Sequence, residues 1–151
     1  MLMLNFRIIE YGSCDYHNMV ALRDEILRKP LGLTFSEDYL QQEINDVLIG
    51  AFYTDNDSTS IVGCCILTPY EEEDVVQLRQ MAVASNVQRK GIGSDIISYA
   101  EDLARNDGFK VLMMHARQEA TGFYQKLGYT RIGQEFTEVG IPHFEMRKNL
   151  I

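Results

Sequence analysis

The stretch from Val75 to His115 constrains the fold of this chain more than any other. An apolar strand pattern at Val75–Val83 leads through a glycine-containing loop into a helix pattern, and a second strand pattern follows at Val111–His115. The apolar residues of the helix form one stripe, which comprises Ile96, Ile97, Ala100, Leu103 and Ala104. Strands that alternate with an amphipathic helix are typical of a sheet covered by helices.

Further strands and helices are predicted on both sides of this stretch. Strand patterns occupy Asn5–Tyr11, Val47–Tyr53, Ser60–Leu67, Thr130–Phe136 and His143–Lys148, and helix patterns occupy Asp15–Arg28, Ser36–Ile44 and Glu119–Leu127. We expect Asp15 to cap the first helix, Pro30 to prevent its continuation and Ser36 to cap the second helix. The order β-α-α-β-β-β-α-β-α-β-β predicts an α/β or α+β domain with a mixed sheet.

Composition narrows the class of protein. A chain of 151 residues fits one domain, 1–151, and its three cysteines, two of them adjacent, predict neither a disulfide framework nor a metal site. No apolar stretch is long enough to span a membrane and no signal peptide is evident, so we expect a cytoplasmic protein. The formal net charge of -8 disfavours nucleic acid as a partner and suits cationic or neutral small substrates.

The loop between the strand and the helix carries the chemistry. It reads Gln88-Arg89-Lys90-Gly91-Ile92-Gly93-Ser94. Glycines allow close approach of the backbone to a ligand, and N–H groups at the start of a helix attract phosphate oxygens. An ordinary turn that uses glycine for its geometry explains the loop equally well when it is taken alone. Its spacing fits neither a nucleotide-triphosphate loop nor a dinucleotide fingerprint, so the anion is expected to be neither ATP nor NAD.

Two motifs together resemble those of the GNAT superfamily of N-acetyltransferases. Val83-(x)4-Gln88-Arg89-Lys90-Gly91-Ile92-Gly93 is similar to that family's acetyl-CoA pyrophosphate loop, and Ala120-Thr121-Gly122-Phe123-Tyr124-Gln125-Lys126-Leu127-Gly128-Tyr129 is similar to its A-x-x-F-Y-x-K-L-G-F/Y helix. The resemblance implies a mostly antiparallel sheet of about six to seven strands with about four helices. It also implies that the fourth and fifth strands are parallel and splay apart to hold acetyl-CoA.

The resemblance further implies direct transfer of an acetyl group to an amine in a ternary complex. The cofactor contacts it implies are Met81, Ala82, Val83, Gln88, Arg89, Lys90, Gly91, Ile92, Gly93, Ser94, Phe123 and Lys126. Among them, the backbone N–H groups near Met81–Val83 would polarise the thioester carbonyl. Lys126 is equally well explained as a solvated helix residue. Tyr124 would protonate the departing thiolate, whereas its spacing alone also fits core packing.

The sequence defines the catalytic base and the residues that contact the acceptor less well than the cofactor contacts. An alkyl amine, with a pKa of about 10.4, must lose a proton before it attacks, and either His143 or ordered water could accept it. His143 is also explained as a turn residue without chemistry. Arg79 could hold an acceptor carboxylate or pair with an acid as structure, and Arg23 and Arg28 could contact the acceptor or be solvated.

The sequence therefore predicts a single-domain N-acetyltransferase that uses acetyl-CoA as donor and a small-molecule or peptide amine as acceptor. The alternative is a non-catalytic acyl-CoA-binding or regulatory module of the same fold. The sequence leaves four points open. These are the identity of the acceptor, the identity of the base, a preference for another acyl-CoA as donor, and the oligomeric state, for which a homodimer is one possibility.

Overall fold

Strands and helices alternate along the chain in the computed structural model, which describes residues 2–151. The strands are β1 (Leu2–Ile9), β2 (Val47–Asp55), β3 (Ser58–Pro69), β4 (Val75–Val83), β5 (Val111–Arg117), β6 (Thr130–Glu138) and β7 (Ile141–Asn149). The α-helices are α1 (Cys14–Arg23), α2 (Glu37–Gln41), α3 (Ile92–Asn106) and α4 (Thr121–Lys126). The predicted α/β architecture is confirmed.

The seven strands follow the order β1-β2-β3-β4-β5-β7-β6. Antiparallel pairing joins β1 to β2, β2 to β3, β5 to β7 and β6 to β7. In contrast, β4 and β5 are parallel, with Val75 opposite Val111 and Leu78 opposite Met114. A long connection is needed between parallel neighbours, and α3 lies in that connection. The mixed sheet with a parallel fourth and fifth strand is confirmed.

The chain divides into two compact units, and β4 contributes to both. Unit 1 contains the chain up to Leu67 together with Gln80–Ala100, and unit 2 contains Thr68–Arg79 and Glu101–Ile151. The core of unit 1 comprises Ile9, Tyr16, Met19, Leu22, Leu48, Phe52, Cys64, Ile66 and Ala82. In unit 2, the buried carboxylate of Glu101 accepts hydrogen bonds from Tyr129 Oη at 2.7 Å and from Lys148 Nζ at 3.1 Å. One domain over residues 1–151 stays a prediction.

The cap of the first helix differs from the prediction. Ser13 is the N-cap, because its side chain accepts a hydrogen bond of 3.1 Å from the backbone N–H of Tyr16. Asp15 lies two residues further along, in the first turn of the helix, and forms an ion pair of 3.0 Å with Arg7. A serine at this position satisfies an orphan N–H of the first turn as well as an aspartate would. The predicted cap at Ser36 is confirmed.

The first helix also ends differently. Its α-helical part stops at Arg23, and the chain continues as a π-helical segment, Asp24–Arg28, before a short 3-10 turn at Lys29–Leu31. Pro30 lies in that turn, where its missing N–H is tolerated. The predicted helix over Asp15–Arg28 is therefore continuous in sequence but changes its winding over its last five residues.

Candidate functional site

A backbone irregularity interrupts β4 at Gln80. Its φ is +53°, in the left-handed region that residues other than glycine rarely adopt. Two hydrogen bonds hold it: the side-chain Nε2 donates to Tyr39 Oη at 2.9 Å, and the backbone carbonyl accepts from Cys64 Sγ at 3.6 Å. The predicted carbonyl-polarising stretch begins with the next residue, Met81, so this irregularity, which we call the bulge at Gln80, lies directly before those N–H groups.

The loop after β4 places two residues in the left-handed region. Arg89 has a φ of +68° and Gly91 a φ of +81°. Gln88 closes the loop onto the end of β4 because its Nε2 donates a hydrogen bond of 3.0 Å to the carbonyl of Val83. Left-handed residues within a turn orient successive N–H groups into one concavity, which suits an anion.

The start of α3 supplies further N–H donors. The helix begins at Ile92, and the N–H groups of its first turn have no intrahelical acceptor. Ser94 Oγ donates a hydrogen bond of 3.1 Å to the carbonyl of Gly91, which ties the loop to the helix. Ile92 is buried, whereas Arg89, Lys90 and Gly91 are exposed. The predicted residues Gln88–Ser94 thus form one continuous segment that carries exposed positive side chains into the start of α3.

In unit 2, α4 carries three of the predicted residues. Tyr124 is 7% exposed, and its ring packs edge-on against Phe123 at 5.0 Å and Tyr129 at 5.9 Å between ring centroids. Phe123 and Lys126 are exposed. The ring of Tyr124 is therefore fixed by packing, as both its predicted role and its alternative as a core residue require.

His143 lies within β7 rather than in a turn. It is 4% exposed, and its Nδ1 lies 2.8 Å from the carbonyl oxygen of Ile141. The carboxylate of Glu138 lies between two imidazoles: Oε2 is 3.7 Å from His143 Nε2, and Oε1 is 3.1 Å from His115 Nδ1. His143 stacks on Phe136, whereas the ring contacts of Tyr124 are with Phe123 and Tyr129.

Sequence reasoning missed Glu138 and His115. The turn after β6, at Val139 and Gly140, has positive φ values and places Glu138 opposite Ile141. The pairing of this hairpin could have predicted that Glu138 lies near His143. However, an irregularity between Ile132 and Phe136 shifts the pairing of the rest of β6. A pattern read along the strand therefore does not reveal which residues face His143.

The placement of Arg23 corrects the expectation that it contacts the acceptor. Its side chain is 0% exposed, and its guanidinium binds Glu43 through two hydrogen bonds of 2.8 and 2.6 Å. Tyr16 Oη donates a further bond of 2.8 Å to the same carboxylate. A guanidinium without exposed surface that is already bound in bidentate fashion has a structural role.

Burial and the ion pair act in opposite directions on the pKa of Arg23. Burial alone lowers the pKa, but the hydrogen bonds and charge of Glu43 outweigh it and raise the pKa above its ordinary value. Burial, followed by the hydrogen bond to Glu43, also raises the pKa of Tyr16. Both groups therefore keep their protons over the range in which the protein is handled.

Arg28 and Arg79 are placed differently from Arg23. Arg28 is half-buried and lies over two aromatic rings, with Cζ 4.5 Å from the centroid of Phe35 and 5.4 Å from that of Tyr39. Arg79 is half-buried in β4, one residue before Gln80. Both stay predicted acceptor contacts, and for Arg79 the structural ion pair stays the alternative.

Residues 2–151 contain neither a metal-binding cluster nor a membrane-spanning helix. No cluster of three or more His, Cys, Asp or Glu side chains in this part of the chain is arranged to hold a metal ion. None of the helices in the same range combines the length and apolar character needed to cross a membrane.

The sequence is similar to one protein family and to individual proteins of Bacillus subtilis. Residues 24–150 match the family described as acetyltransferase (GNAT) domain. YyaT of Bacillus subtilis is 36% identical over 74 residues, which are 49% of this chain and 50% of YyaT. YitI of the same organism, described as an N-acetyltransferase, is 26% identical over 95% of this chain and 97% of its own length. The matched part spans about half the length of YyaT and of a second B. subtilis relative.

Solved structures share the fold across nearly the whole chain. A candidate N-acetyltransferase from Lactobacillus plantarum has a TM-score of 0.82 at 19% identity and covers 99% of both chains. An aminoglycoside 6'-N-acetyltransferase complexed with coenzyme A has a TM-score of 0.77 at 15% identity and covers 97% of both chains. The resemblance in fold that the two motifs predicted is confirmed.

Proposed function

Because the chain belongs to the acetyltransferase (GNAT) domain family, we propose that it transfers an acetyl group from acetyl-CoA to a primary amine of a small molecule. One observation carries the proposal: a single run of chain in unit 1 leads from the bulge at Gln80 to the glycine-containing loop with two left-handed residues that opens α3. The bulge supplies the backbone irregularity that carbonyl polarisation needs, and the loop supplies an anion cradle.

The loop would bind the pyrophosphate of CoA. The N–H groups at the start of α3 and the positive end of the helix favour phosphate oxygens. Arg89 and Lys90 are exposed and add two positive charges to a chain whose net charge is -8. This local charge is needed, because the bulk charge of the protein repels a polyanionic cofactor.

The acetyl transfer itself requires three functions. The amine must lose a proton, for which His143 or ordered water is the proposed acceptor. The nitrogen then attacks the thioester carbon, and negative charge develops on the carbonyl oxygen. Backbone N–H groups of Met81, Ala82 and Val83 would stabilise that charge. As the carbon–sulfur bond breaks, Tyr124 would protonate the CoA thiolate, and the excess proton on the attached nitrogen would return to the tyrosinate. Phe123 and Lys126 would contact the cofactor.

The localisation and partners follow from the sequence alone. The prediction stays that the protein is cytoplasmic and acts on a small-molecule or peptide amine. It is also predicted to bind neither nucleic acid nor membrane and to be active as a monomer or a homodimer. We also propose that the protein prefers acetyl-CoA to longer acyl-CoA thioesters as its donor.

The test has two stages. The melting temperature is measured with acetyl-CoA, and with ATP and NAD as controls, because a ligand at about 100 times its Kd stabilises by roughly 2.7 kcal/mol. CoA release is then followed with a panel of amines. A shift with acetyl-CoA alone and amine-dependent CoA release support the enzyme. A shift without release with any amine favours the regulatory module, and no shift contradicts acetyl-CoA binding.

A further inference from the structure

The guanidinium of Arg28 is held by aromatic rings and has no acidic partner. It lies over both Phe35 and Tyr39, whose rings stack on each other at 5.8 Å. No carboxylate within residues 2–151 lies at ion-pair distance from it. Aromatic faces stabilise a cation without occupying its N–H groups, so the fork of Arg28 keeps its donors.

Arg23 provides an internal comparison, because it lies over the same ring. Its Cζ is 4.6 Å from the centroid of Phe35, but its guanidinium is bound in bidentate fashion by Glu43. Two guanidinium groups therefore contact one phenyl ring, and among residues 2–151 a carboxylate pairs with Arg23 but not with Arg28. A half-buried positive charge without a counter-charge costs free energy that an anionic ligand would recover.

Arg28 is also connected to the proposed reaction centre. Tyr39, which contacts Arg28, accepts the hydrogen bond of 2.9 Å from Gln80. Gln80 precedes Met81, whose N–H group belongs to the proposed carbonyl-polarising stretch. The guanidinium, the tyrosine and the bulge all lie in unit 1. An anionic group bound by Arg28 is therefore linked through Tyr39 and Gln80 to the proposed carbonyl-polarising stretch.

We propose that Arg28 binds a carboxylate of the acceptor, so that the substrates are amines that also carry a carboxylate group. The proposal rests on the acetyl transfer proposed above and adds the class of acceptor to it. The planar guanidinium matches a carboxylate in bidentate geometry, and charge-assisted bonds of this kind are strong. This proposal reverses the expectation, drawn from the net charge, that the substrates are cationic or neutral. A guanidinium in the binding site decides which group is recognised, whereas the bulk charge of the protein only steers the encounter.

The test compares each acceptor amine with its own carboxamide. β-Alanine and γ-aminobutyrate are compared with β-alaninamide and γ-aminobutyramide, and kcat/KM is measured by CoA release. The wild-type chain is expected to prefer the carboxylates by roughly 10- to 100-fold, as a hydrogen-bonded charge pair gives. Arg28→Gln should remove this preference by raising KM for the carboxylates far more than for the carboxamides, and Arg28→Lys should retain part of it.

Arg7→Gln is the matched control. Arg7 also lies over a phenyl ring, with Cζ 3.9 Å from the centroid of Phe52, but Asp15 already binds it. This variant should keep the full preference for carboxylates. Equal rates for carboxylate and carboxamide in the wild type, or a preference that survives in Arg28→Gln, would overturn the inference while leaving acetyl transfer intact. Absence of CoA release with every amine would instead overturn the proposed function, and this inference with it.

Discussion

Gln80 and Tyr39 are joined by a hydrogen bond of 2.9 Å that connects α2 to the bulge of β4. Gln80 adopts a φ of +53°, a conformation that persists only where its surroundings hold it. The bond therefore helps to fix the direction of the N–H groups that follow at Met81 and Ala82. A change that removes the hydroxyl but keeps the ring tests this relationship.

Tyr39→Phe is expected to lower kcat several-fold and at most about tenfold, since one neutral hydrogen bond contributes about 0.5–1.5 kcal/mol. The Kd for acetyl-CoA should change little, because the loop at Gln88–Ser94 is not altered. Steady-state kinetics and a binding titration separate the two effects. Tyr53→Phe, in β2, is the control and should leave both values unchanged. A kcat equal to that of wild type in Tyr39→Phe would show that the bulge is held without this bond.

Two substitutions at Gly91 separate shape from charge in the phosphate loop. A Cβ at this position meets no atom within 4 Å, so neither side chain clashes with the protein, and the φ of +81° penalises both. Asparagine tolerates this conformation and has no charge, whereas aspartate places a negative charge beside the pyrophosphate. We expect Gly91→Asp to weaken acetyl-CoA binding by at least about tenfold more than Gly91→Asn. Equal affinities, measured by calorimetry, would place the pyrophosphate elsewhere.

Tyr124→Phe tests the proposed acid. The ring packing with Phe123 and Tyr129 is kept, so the fold and acetyl-CoA binding should be preserved. Loss of a proton donor typically lowers turnover by about 10²–10⁴-fold. Single-turnover CoA release measures the chemical step, and the melting temperature reports on packing. Unchanged turnover would assign Tyr124 to the core alone.

The buried pair of Arg23 and Glu43 predicts a large effect on stability. Glu43→Gln leaves the Arg23 charge buried without its counter-charge, which is expected to lower the free energy of unfolding by about 3–5 kcal/mol. Denaturant unfolding gives this value. Asp102→Asn is the control, since the ion pair of Asp102 with Arg105 is exposed, with 71% and 40% of the side chains accessible, and should change stability by less than about 1 kcal/mol. A small loss in Glu43→Gln would show that the buried site relaxes or admits water.

The three cysteines should differ in reactivity. Burial raises the pKa of the Cys64 thiol to about 12 and that of Cys65 well above its ordinary value, whereas Cys14 is exposed. A thiol reagent is therefore expected to modify Cys14 in the folded protein, and Cys64 and Cys65 only after unfolding. Cys14→Ser should abolish the fast phase. Rapid reaction of a thiol in that variant would mean that the core opens readily.

The same thiols predict the direction of a pH effect. The folded state holds its protons more tightly than the unfolded state, so the contribution to stability is fully present below pH 9.0, the ordinary pKa of the thiol. It is then lost as the pH rises toward about 12, the folded pKa of Cys64. Denaturant unfolding should give a free energy that falls in this range. Cys64→Ala should reduce the slope, and an identical slope would assign the effect to other groups.

Local patterns predicted the elements better than the contacts between them. The strand at Val75–Val83 and the hairpin of β2 and β3 were predicted because apolar alternation and turn residues are properties of neighbouring positions. The buried ion pair joins Arg23 in α1 to Glu43 in the turn after α2, 20 positions away, and no periodicity in the sequence indicates such a contact. Its burial is what overturned the predicted role of Arg23.

The candidate site was predicted to a similar extent. The loop at Gln88–Ser94 could be proposed from the sequence because the features that favour anion binding, glycines and the start of a helix, are local. The bulge at Gln80 depends on bonds to Tyr39 and Cys64, and the neighbours of His143 depend on a strand register. Such groups meet only when the chain folds, so residue spacing could not identify them.

The π-helical winding of Asp24–Arg28 has a consequence for how acceptor preference can change over time. Each residue of an α-helix advances the direction of the side chain by about 100°. A change that restores α-helical winding without removing a residue would turn the guanidinium of Arg28 by about this angle, away from Phe35 and Tyr39. A substitution that abolishes the π-helical winding is therefore expected to weaken carboxylate binding without altering any residue of the cofactor loop.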